Sequence, residues 1–153
     1  MKVQLNEYEM NFCRILASMR DIANAGKNVK DAKMGSGNGW GYSFDGVMTE
    51  YAFCKARNIF FDCSVQPRSG GCDCVSKTGK RIDIKSTRVK QRGISIPLKV
   101  KEDVDLFVCC FIEGNNINYY GYCKAEDLYK DENIVNWGKG DCYHLPYEKL
   151  IRM

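Results

Sequence analysis

The first pattern in the chain is a helical spacing of apolar residues near its start. Apolar side chains recur every three or four positions between Leu5 and Ala25, and Gly26 is a natural helix stop. This spacing predicts an amphipathic helix over Leu5–Ala25. The positions that carry the apolar pattern are Tyr8, Phe12, Ile15, Leu16, Met19, Ile22 and Ala23.

A second helix is predicted after a polar segment. Residues 26–42 are rich in lysine and glycine and have no regular apolar pattern, which predicts a loop. Ser43 or Asp45 then offers an N-cap for a helix over Gly46–Arg57. Glu50 lies beside the apolar stripe of this helix, where its carboxylate can reach a neighbouring sheet.

The rest of the chain alternates β-type apolar runs with turn signals. Asp105–Ile112 is continuously apolar after its aspartate, which predicts a central strand buried on both faces. The crossover before it is weakly marked, because only Leu98–Asp103, with Pro97 at its start, offers a helix. The other predicted elements are strands over Ile59–Val65, Cys72–Ser76, Lys80–Thr87, Ile94–Pro97 and Ile117–Cys123, and a short helix over Ala125–Tyr129.

These elements predict one α/β (α+β) domain over residues 1–153, with a central mixed sheet of about five strands flanked by helices. Within it we expect an N-terminal helix, a Gly/Lys-rich loop, a core, and a tail that packs on the core. Apolar content of 44% and charged content of 27% are ordinary for a globular protein. The corresponding ranges are 1–25, 26–42, 43–130 and 131–153.

The hairpin between the second and third strands has a register that can be predicted from its turn. A two-residue loop at Thr78-Gly79 would set Cys74 opposite Asp83. A three-residue loop, Lys77-Thr78-Gly79, with Gly79 in the left-handed conformation, sets Asp73 opposite Asp83 instead. Three-residue loops that end in such a glycine are common, so the glycine favours the second register, which a slip of one residue would abolish.

In that register the chain brings carboxylates and an amine together. Asp83 and Lys85 share one face of their strand, while Ile82 and Ile84 point to the other. With Asp73 opposite and Glu50 on the helix, three acids would converge and repel one another unless a divalent cation lies between them. Oxygen ligands of this kind suit Mg²⁺ or Mn²⁺.

This arrangement resembles the PD-(D/E)XK nuclease superfamily, whose fold is restriction-endonuclease-like, over roughly residues 43–128. Asp83-Ile84-Lys85 matches its acid-x-Lys element, Asp73 its upstream aspartate, and Glu50 the acid often found on its first core helix. Cys72 stands before Asp73 where the pattern names proline, a position that varies widely in the superfamily. The second acid-x-Lys tripeptide of the chain, at residues 31–33, lies in the polar segment and has no strand pattern.

The resemblance implies a divalent-metal-dependent endonuclease acting on DNA, duplex or branched, often as a homodimer. It implies that Asp73, Asp83 and the backbone carbonyl of Ile84 hold Mg²⁺ or Mn²⁺, and that Glu50 binds it through water or holds a second ion. Lys85 would position the attacking water or neutralise developing charge. Compact members of the superfamily occur in phages, which is consistent with a chain of 153 residues.

The net charge of +4 is only mildly basic, so the distribution of charge matters more. Lys33 lies in one cluster of lysines, and Arg88, Lys90 and Arg92 follow directly after the strand of Asp83, where they would bind phosphates. The alternative for both clusters is a solvated charged surface. Trp40 either stacks on a base or packs into the core.

Nine cysteines and one histidine bear on location and on rival chemistry. An odd number of cysteines, acidic residues near the start in place of a signal-peptide pattern, and no apolar run of membrane-spanning length predict reduced thiols in a cytoplasm, that of a host cell if the protein is phage-encoded. Cys63, Cys72 and Cys74 form a weak metal-site alternative, whereas Cys63, Cys74 and Cys109 fit better as buried apolar residues.

Two alternatives to a nuclease remain from the sequence. One is a catalytically inactive nucleic-acid-binding or interaction module on the same fold, in which the acids serve structure. The other is a Ser-His-Asp or Cys-His hydrolase, which is poorly supported because His144 stands alone and no serine or cysteine lies on a nucleophile elbow.

Overall fold

The structure is a computed structural model that describes residues 1–26, 39–65, 71–138 and 140–153, with the side chains of Gly39, Trp40 and Tyr42 left aside. Its helices are α1 (Glu7–Gly26), α2 (Gly39–Arg57) and the short α3 (Ala125–Leu128). Its strands are β1 (Lys2–Gln4), β2 (Cys74–Val75), β3 (Arg81–Thr87), β4 (Ile94–Pro97), β5 (Leu106–Glu113), β6 (Asn116–Lys124), β7 (Ile134–Asn136), β8 (Asp141–Leu145) and β9 (Ile151–Arg152).

The described strands form a mixed sheet of six strands and a smaller sheet of three. The large sheet has the order β1-β6-β5-β3-β2, and β9 also pairs with β6. Strands β3 and β5 run parallel, whereas the other pairs in this sheet are antiparallel. The small sheet has the order β4-β8-β7. The predicted mixed α/β class is therefore confirmed.

The large sheet separates two apolar cores. Helices α1 and α2 pack on one face, where Ile82 and Ile84 of β3 join Val108 and Cys110 of β5. The opposite face carries a second core in which Phe107 packs with residues of β4, β8 and α3. Strand β5 is buried on both faces, as its continuous apolar run predicts.

The connection between the parallel strands β3 and β5 contains β4 of the small sheet. Residues 98–105, all of which are described, contain no helix, so the crossover helix that the sequence offered only weakly is absent from this segment. A connection between two parallel strands needs a dozen or more residues, and here these residues run to the small sheet and back.

Three predicted boundaries are wrong. Helix α2 begins at Gly39 instead of Gly46, so the end of the predicted loop is helical, while residues 27–38 lie outside the description. The predicted strand Ile59–Val65 is an extended segment without strand pairing, although Ile59, Phe61 and Val65 still pack against the helical core. Only two residues of the predicted strand Cys72–Ser76 pair as β2.

The tail forms regular structure where the sequence predicted only packing on the sheet edge. Strands β7 and β8 belong to the small sheet, and β9 pairs with β6 next to Gly121 and Tyr122. None of the helices that the structure describes is both long and apolar enough to cross a membrane.

The side chains that helix α1 buries are not those at its most apolar positions. Its buried side chains are Cys13, Leu16 and Ala17. The exposed ones include Tyr8, Ile15 and Ile22, which belong to the apolar pattern that the sequence shows. The helix is therefore apolar on more than one face, and among the described residues it is the face of Cys13, Leu16 and Ala17 that is buried in the core.

Candidate metal centre

The hairpin of β2 and β3 has the register that the glycine of its turn predicts. Cys74 lies opposite Ile82 and Val75 opposite Arg81, and the paired ladder ends there, one residue before Asp73. Gly79 has a φ of +80°, in the left-handed region. The predicted three-residue loop is therefore confirmed.

Asp73 lies where the paired part of β2 ends. Its backbone N–H donates to the carbonyl of Ile82 at 2.9 Å, and its Oδ2 atom accepts the N–H of Ile84 at 2.6 Å. The side chain thus takes the place of a strand partner for Ile84. In an extended strand the N–H and C=O of one residue point to the same side, so the Ile84 carbonyl also faces the side of Asp73.

The surroundings of Asp73 favour its neutral form. Burial, and then the negative charges of Glu50 and Asp83, raise the pKa of Asp73 to about 8. Lys85 and the hydrogen bond from Ile84 act in the opposite direction but do not compensate. Glu50 and Asp83 therefore both lie close enough to Asp73 for their charges to oppose its ionisation.

Asp83 is a fully buried carboxylate with two lysine partners. Lys85 lies two residues away on β3 and forms an ion pair with Oδ1, while Lys101 forms an ion pair and a hydrogen bond with Oδ2. The contact with Lys85 does not have hydrogen-bond geometry, so Oδ1 accepts no hydrogen bond from any described residue. A buried carboxylate oxygen in this condition is a strong potential cation ligand.

Lys101 comes from the link between the two sheets. Burial opposes its charge, but the attraction of Asp83, and further that of Asp73 and Asp103, outweighs burial and raises the pKa of Lys101. Lys101 could not be selected from the sequence, because it is one of two lysines in the segment 98–103 and no spacing rule relates it to Asp83.

Glu50 approaches from helix α2, on the opposite face of the sheet from Asp83. Its Oε2 atom forms an ion pair of 3.1 Å with Arg20 of α1. Arg20 also donates to the carbonyl oxygens of Asp62 and Ser64, at 2.6 and 3.2 Å, and so fixes the extended segment 59–65 against the helices. The arginine was not selected from the sequence either.

The charges of Glu50 and Asp83 therefore act on Asp73, but cationic side chains form ion pairs with both Glu50 and Asp83. No three His, Cys, Asp or Glu side chains in the described part of the chain are grouped closely enough to hold a metal ion. Lysines occupy both oxygens of Asp83, and Arg20 occupies one oxygen of Glu50. A cation of higher charge density would have to displace at least one of these side chains.

The residues that the sequence predicted to bind phosphate lie in surroundings that differ from one another. Arg88 makes a two-pronged pair with the buried Asp45 of α2, at 2.8 and 2.6 Å. Lys90 is exposed in the turn after β3, and Arg92 lies over the ring of Trp137, 5.4 Å from its centroid. Lys33 and the side chain of Trp40 lie outside the described residues.

The cysteines are free thiols, and all nine lie in the described part of the chain. Cys74 and Cys109 are buried, as predicted, whereas Cys63 is exposed, so its predicted burial is wrong. Burial raises the pKa of Cys109 to about 12, which keeps this thiol protonated. His144 is partly buried, with its Nδ1 atom 2.9 Å from the hydroxyl of Ser95.

Comparison with known proteins adds no family. No family model matches the chain, and no curated protein matches it.

Proposed function

We propose that this protein is a divalent-metal-dependent endonuclease that hydrolyses phosphodiester bonds in DNA, on a restriction-endonuclease-like core. The proposal depends on one observation: the hairpin brings Asp73 against the strand of Asp83, where its Oδ2 atom accepts the Ile84 N–H, and Lys85 lies two residues from Asp83 on that strand. Helix α2, the β2–β3 hairpin and the parallel strand β5 follow one another in the order that the resemblance to the PD-(D/E)XK superfamily implies.

The residues present suit a hard cation such as Mg²⁺ or Mn²⁺. Asp83 Oδ1 is buried and accepts no hydrogen bond from a described residue, its partner being the ion-paired Lys85 amine, and Asp73 is held near two other acids. Asp73, Asp83 and the Ile84 carbonyl offer only oxygen ligands, and Glu50, which approaches from the other face of the sheet, would bind the cation through water or hold a second ion. In such a site a bound Mg²⁺ or Mn²⁺ supplies a water of lowered pKa and a polarised phosphate oxygen.

The side chains of the protein would contribute position and charge. Asp73, fixed by the Ile84 N–H, and Asp83, fixed by β3, define one side of the site. The Lys85 amine would orient the attacking water or stabilise the charge that develops on the phosphate. Arg20 holds Glu50 in place, which limits the entropy lost when the site assembles.

The test is a cleavage assay on linear duplex, single-stranded and four-way-junction DNA, each with Mg²⁺, with Mn²⁺ and with a chelator. We expect metal-dependent cutting of at least one substrate. Asp83→Asn and Lys85→Met should each lower the rate by a factor on the order of 100 or more. Lys80→Met, a lysine just before the other end of β3, is the matched control and should cut normally. Undiminished cutting by Asp83→Asn would refute the proposal.

One observation favours the inactive nucleic-acid-binding module as a second candidate. Lysines pair with both oxygens of Asp83 and Arg20 with Glu50, so the acids have partners that give them structural roles. This alternative predicts DNA binding that does not change with Mg²⁺ and no cutting of any of the three substrates. The same assay, followed by a binding titration, distinguishes the two.

A further inference from the structure

The exposed apolar face of helix α1 has the spacing of a helix-pairing seam. Its residues are separated by four, three, four and three positions, which is the alternation of a coiled-coil heptad. All five side chains are exposed, and Tyr8, Ile22 and Ile15 have exposed fractions of 85%, 71% and 62%. We call this face the α1 seam; it consists of Tyr8, Phe12, Ile15, Met19 and Ile22.

We propose that the α1 seam pairs with the α1 seam of a second copy of the chain, so that the protein is a homodimer through this helix. A two-fold interface requires one patch that is complementary to itself. A row of alternating four- and three-residue spacing meets this requirement, because two identical rows interdigitate as knobs into holes.

The exposed area is sufficient for a specific contact. The seam leaves roughly 500 Å² of apolar surface open on each chain, the size of the largest apolar patch on a typical monomer, which is often functional. Two copies would together bury about 1,000 Å², the lower limit of a specific protein–protein interface. The ring of Phe12 also packs edge to face with the ring of Phe61, 6.3 Å between centroids, so the seam is anchored to the rest of the domain.

Charge favours a second copy as the occupant. The residues that flank the middle of the seam on its polar side, Asn11 and Ser18, are uncharged, so the centre of the interface carries no like-charge repulsion. A membrane surface is a poorer partner, because the first turn of α1 is acidic, with Glu7 and Glu9, and its last turn has no basic residue.

The test compares matched variants by sedimentation equilibrium of the full chain over a wide concentration range. We expect the wild type to dimerise and Ile15→Glu to be monomeric, since the substitution would set two carboxylates together across the axis. Val89→Glu is the control, because Val89 is a similarly exposed apolar residue, at 54%, outside the seam. It should dimerise like the wild type. A monomeric wild type, or an Ile15→Glu dimer of unchanged affinity, would overturn the proposal.

A covalent test keeps the proposal decidable if Ile15→Glu is poorly folded. Ile15 is the middle residue of the seam, so it faces Ile15 of the other copy in a parallel pair, and Phe12 or Met19 of that copy in an antiparallel pair. In a Cys63→Ser background, which removes the exposed native thiol, Ile15→Cys should form a disulfide-linked dimer on mild oxidation. Val89→Cys should not, and equal cross-linking by both variants would contradict the proposal.

Discussion

The Oδ2 atom of Asp73 accepts a hydrogen bond of 2.6 Å from the backbone N–H of Ile84. This contact replaces a strand–strand hydrogen bond at the point where β2 ends, so the carboxylate is part of the sheet as well as of the candidate site. Its position is therefore set by backbone geometry before any ligand arrives. The negative charges of Glu50 and Asp83 then act on a carboxylate that cannot move away from them.

The first prediction concerns the titration of Asp73 in the metal-free protein. Its pKa is raised to about 8 by burial and by Glu50 and Asp83, so NMR in the presence of a chelator should show a carboxyl that titrates far above the ordinary aspartate value of 3.8. An ordinary titration of this side chain would contradict the arrangement of charges described above.

The same shift has a consequence for stability, and its sign follows from proton binding. Between about pH 4 and pH 8 the folded protein holds a proton on Asp73 that the unfolded chain has lost, so the free energy of unfolding falls as pH rises. Asp73→Asn, which still offers an oxygen to Ile84, should remove this contribution. Because Asp73 is half-buried and its neighbours adjust, we expect the free energy of unfolding of Asp73→Asn to exceed that of the wild type by about 2 kcal/mol at pH 8 and to equal it near pH 4. Urea unfolding at both pH values measures it.

The two lysines on Asp83 should differ in function. Under the proposed nuclease activity, Lys85→Met should abolish cleavage, because this amine lies on the strand of the site. Lys101→Met removes a cation that competes for Asp83 Oδ2, so we expect it to retain cleavage and to bind Mg²⁺ several-fold more tightly. The Mg²⁺ dependence of the melting temperature and of the cleavage rate measures both effects.

Lys99→Met is the matched control for Lys101→Met, because Lys99 is an exposed lysine in the same link. It should leave Mg²⁺ affinity unchanged. If Lys101→Met abolished cutting while Lys85→Met cut normally, the roles of the two amines would be the reverse of those proposed.

Arg88 was predicted to bind phosphate, and its pair with Asp45 predicts a structural role that can be measured. The two side chains join the end of β3 to helix α2 through two hydrogen bonds, and Asp45 is buried. A double-mutant cycle with Arg88→Met and Asp45→Asn should give a coupling of about 1–2 kcal/mol in the free energy of unfolding, after allowance for the exposed side of Arg88. Each single variant should be less stable than the wild type.

Measurements of DNA affinity distinguish a structural role of Arg88 from a phosphate-binding role. Lys90 is exposed in the turn after β3 and forms no ion pair with another described residue, so Lys90→Met should weaken DNA binding without loss of stability. A large loss of DNA affinity in Arg88→Met, with unchanged stability, would restore the phosphate-binding role predicted from the sequence.

Local patterns predicted the elements that depend on local physics. The alternation of β3, the apolar run of β5 and the turn at Gly79 each contain their own signal, so the approach of Asp73 to the strand of Asp83 could be predicted from the sequence. The resemblance to a nuclease family selected Glu50, which no periodicity distinguishes from any other helical glutamate.

Contacts between residues that are distant in the sequence could not be predicted from local patterns. The segment 59–65 has the composition of a strand, but Arg20, about forty residues earlier, binds its carbonyl oxygens where a strand partner would lie. Lys101 reaches Asp83 only because the link between β3 and β5 passes through the small sheet. Neither relationship leaves a periodic trace in the chain, so both required the structure.

The last prediction compares two glycines that share a backbone conformation but differ in surroundings. Gly79 and Gly93 have φ values of +80° and +86°, so alanine would be similarly strained at either position. At Gly79 an added Cβ meets no atom within 4 Å, whereas at Gly93 it would lie 2.2 Å from the carbonyl oxygen of Leu145. We expect Gly79→Ala to cost about 1 kcal/mol of unfolding free energy, and Gly93→Ala about 3 kcal/mol or more, because β4 must separate from β8. Equal losses in parallel urea titrations would show that the small sheet does not pack against Gly93 as described.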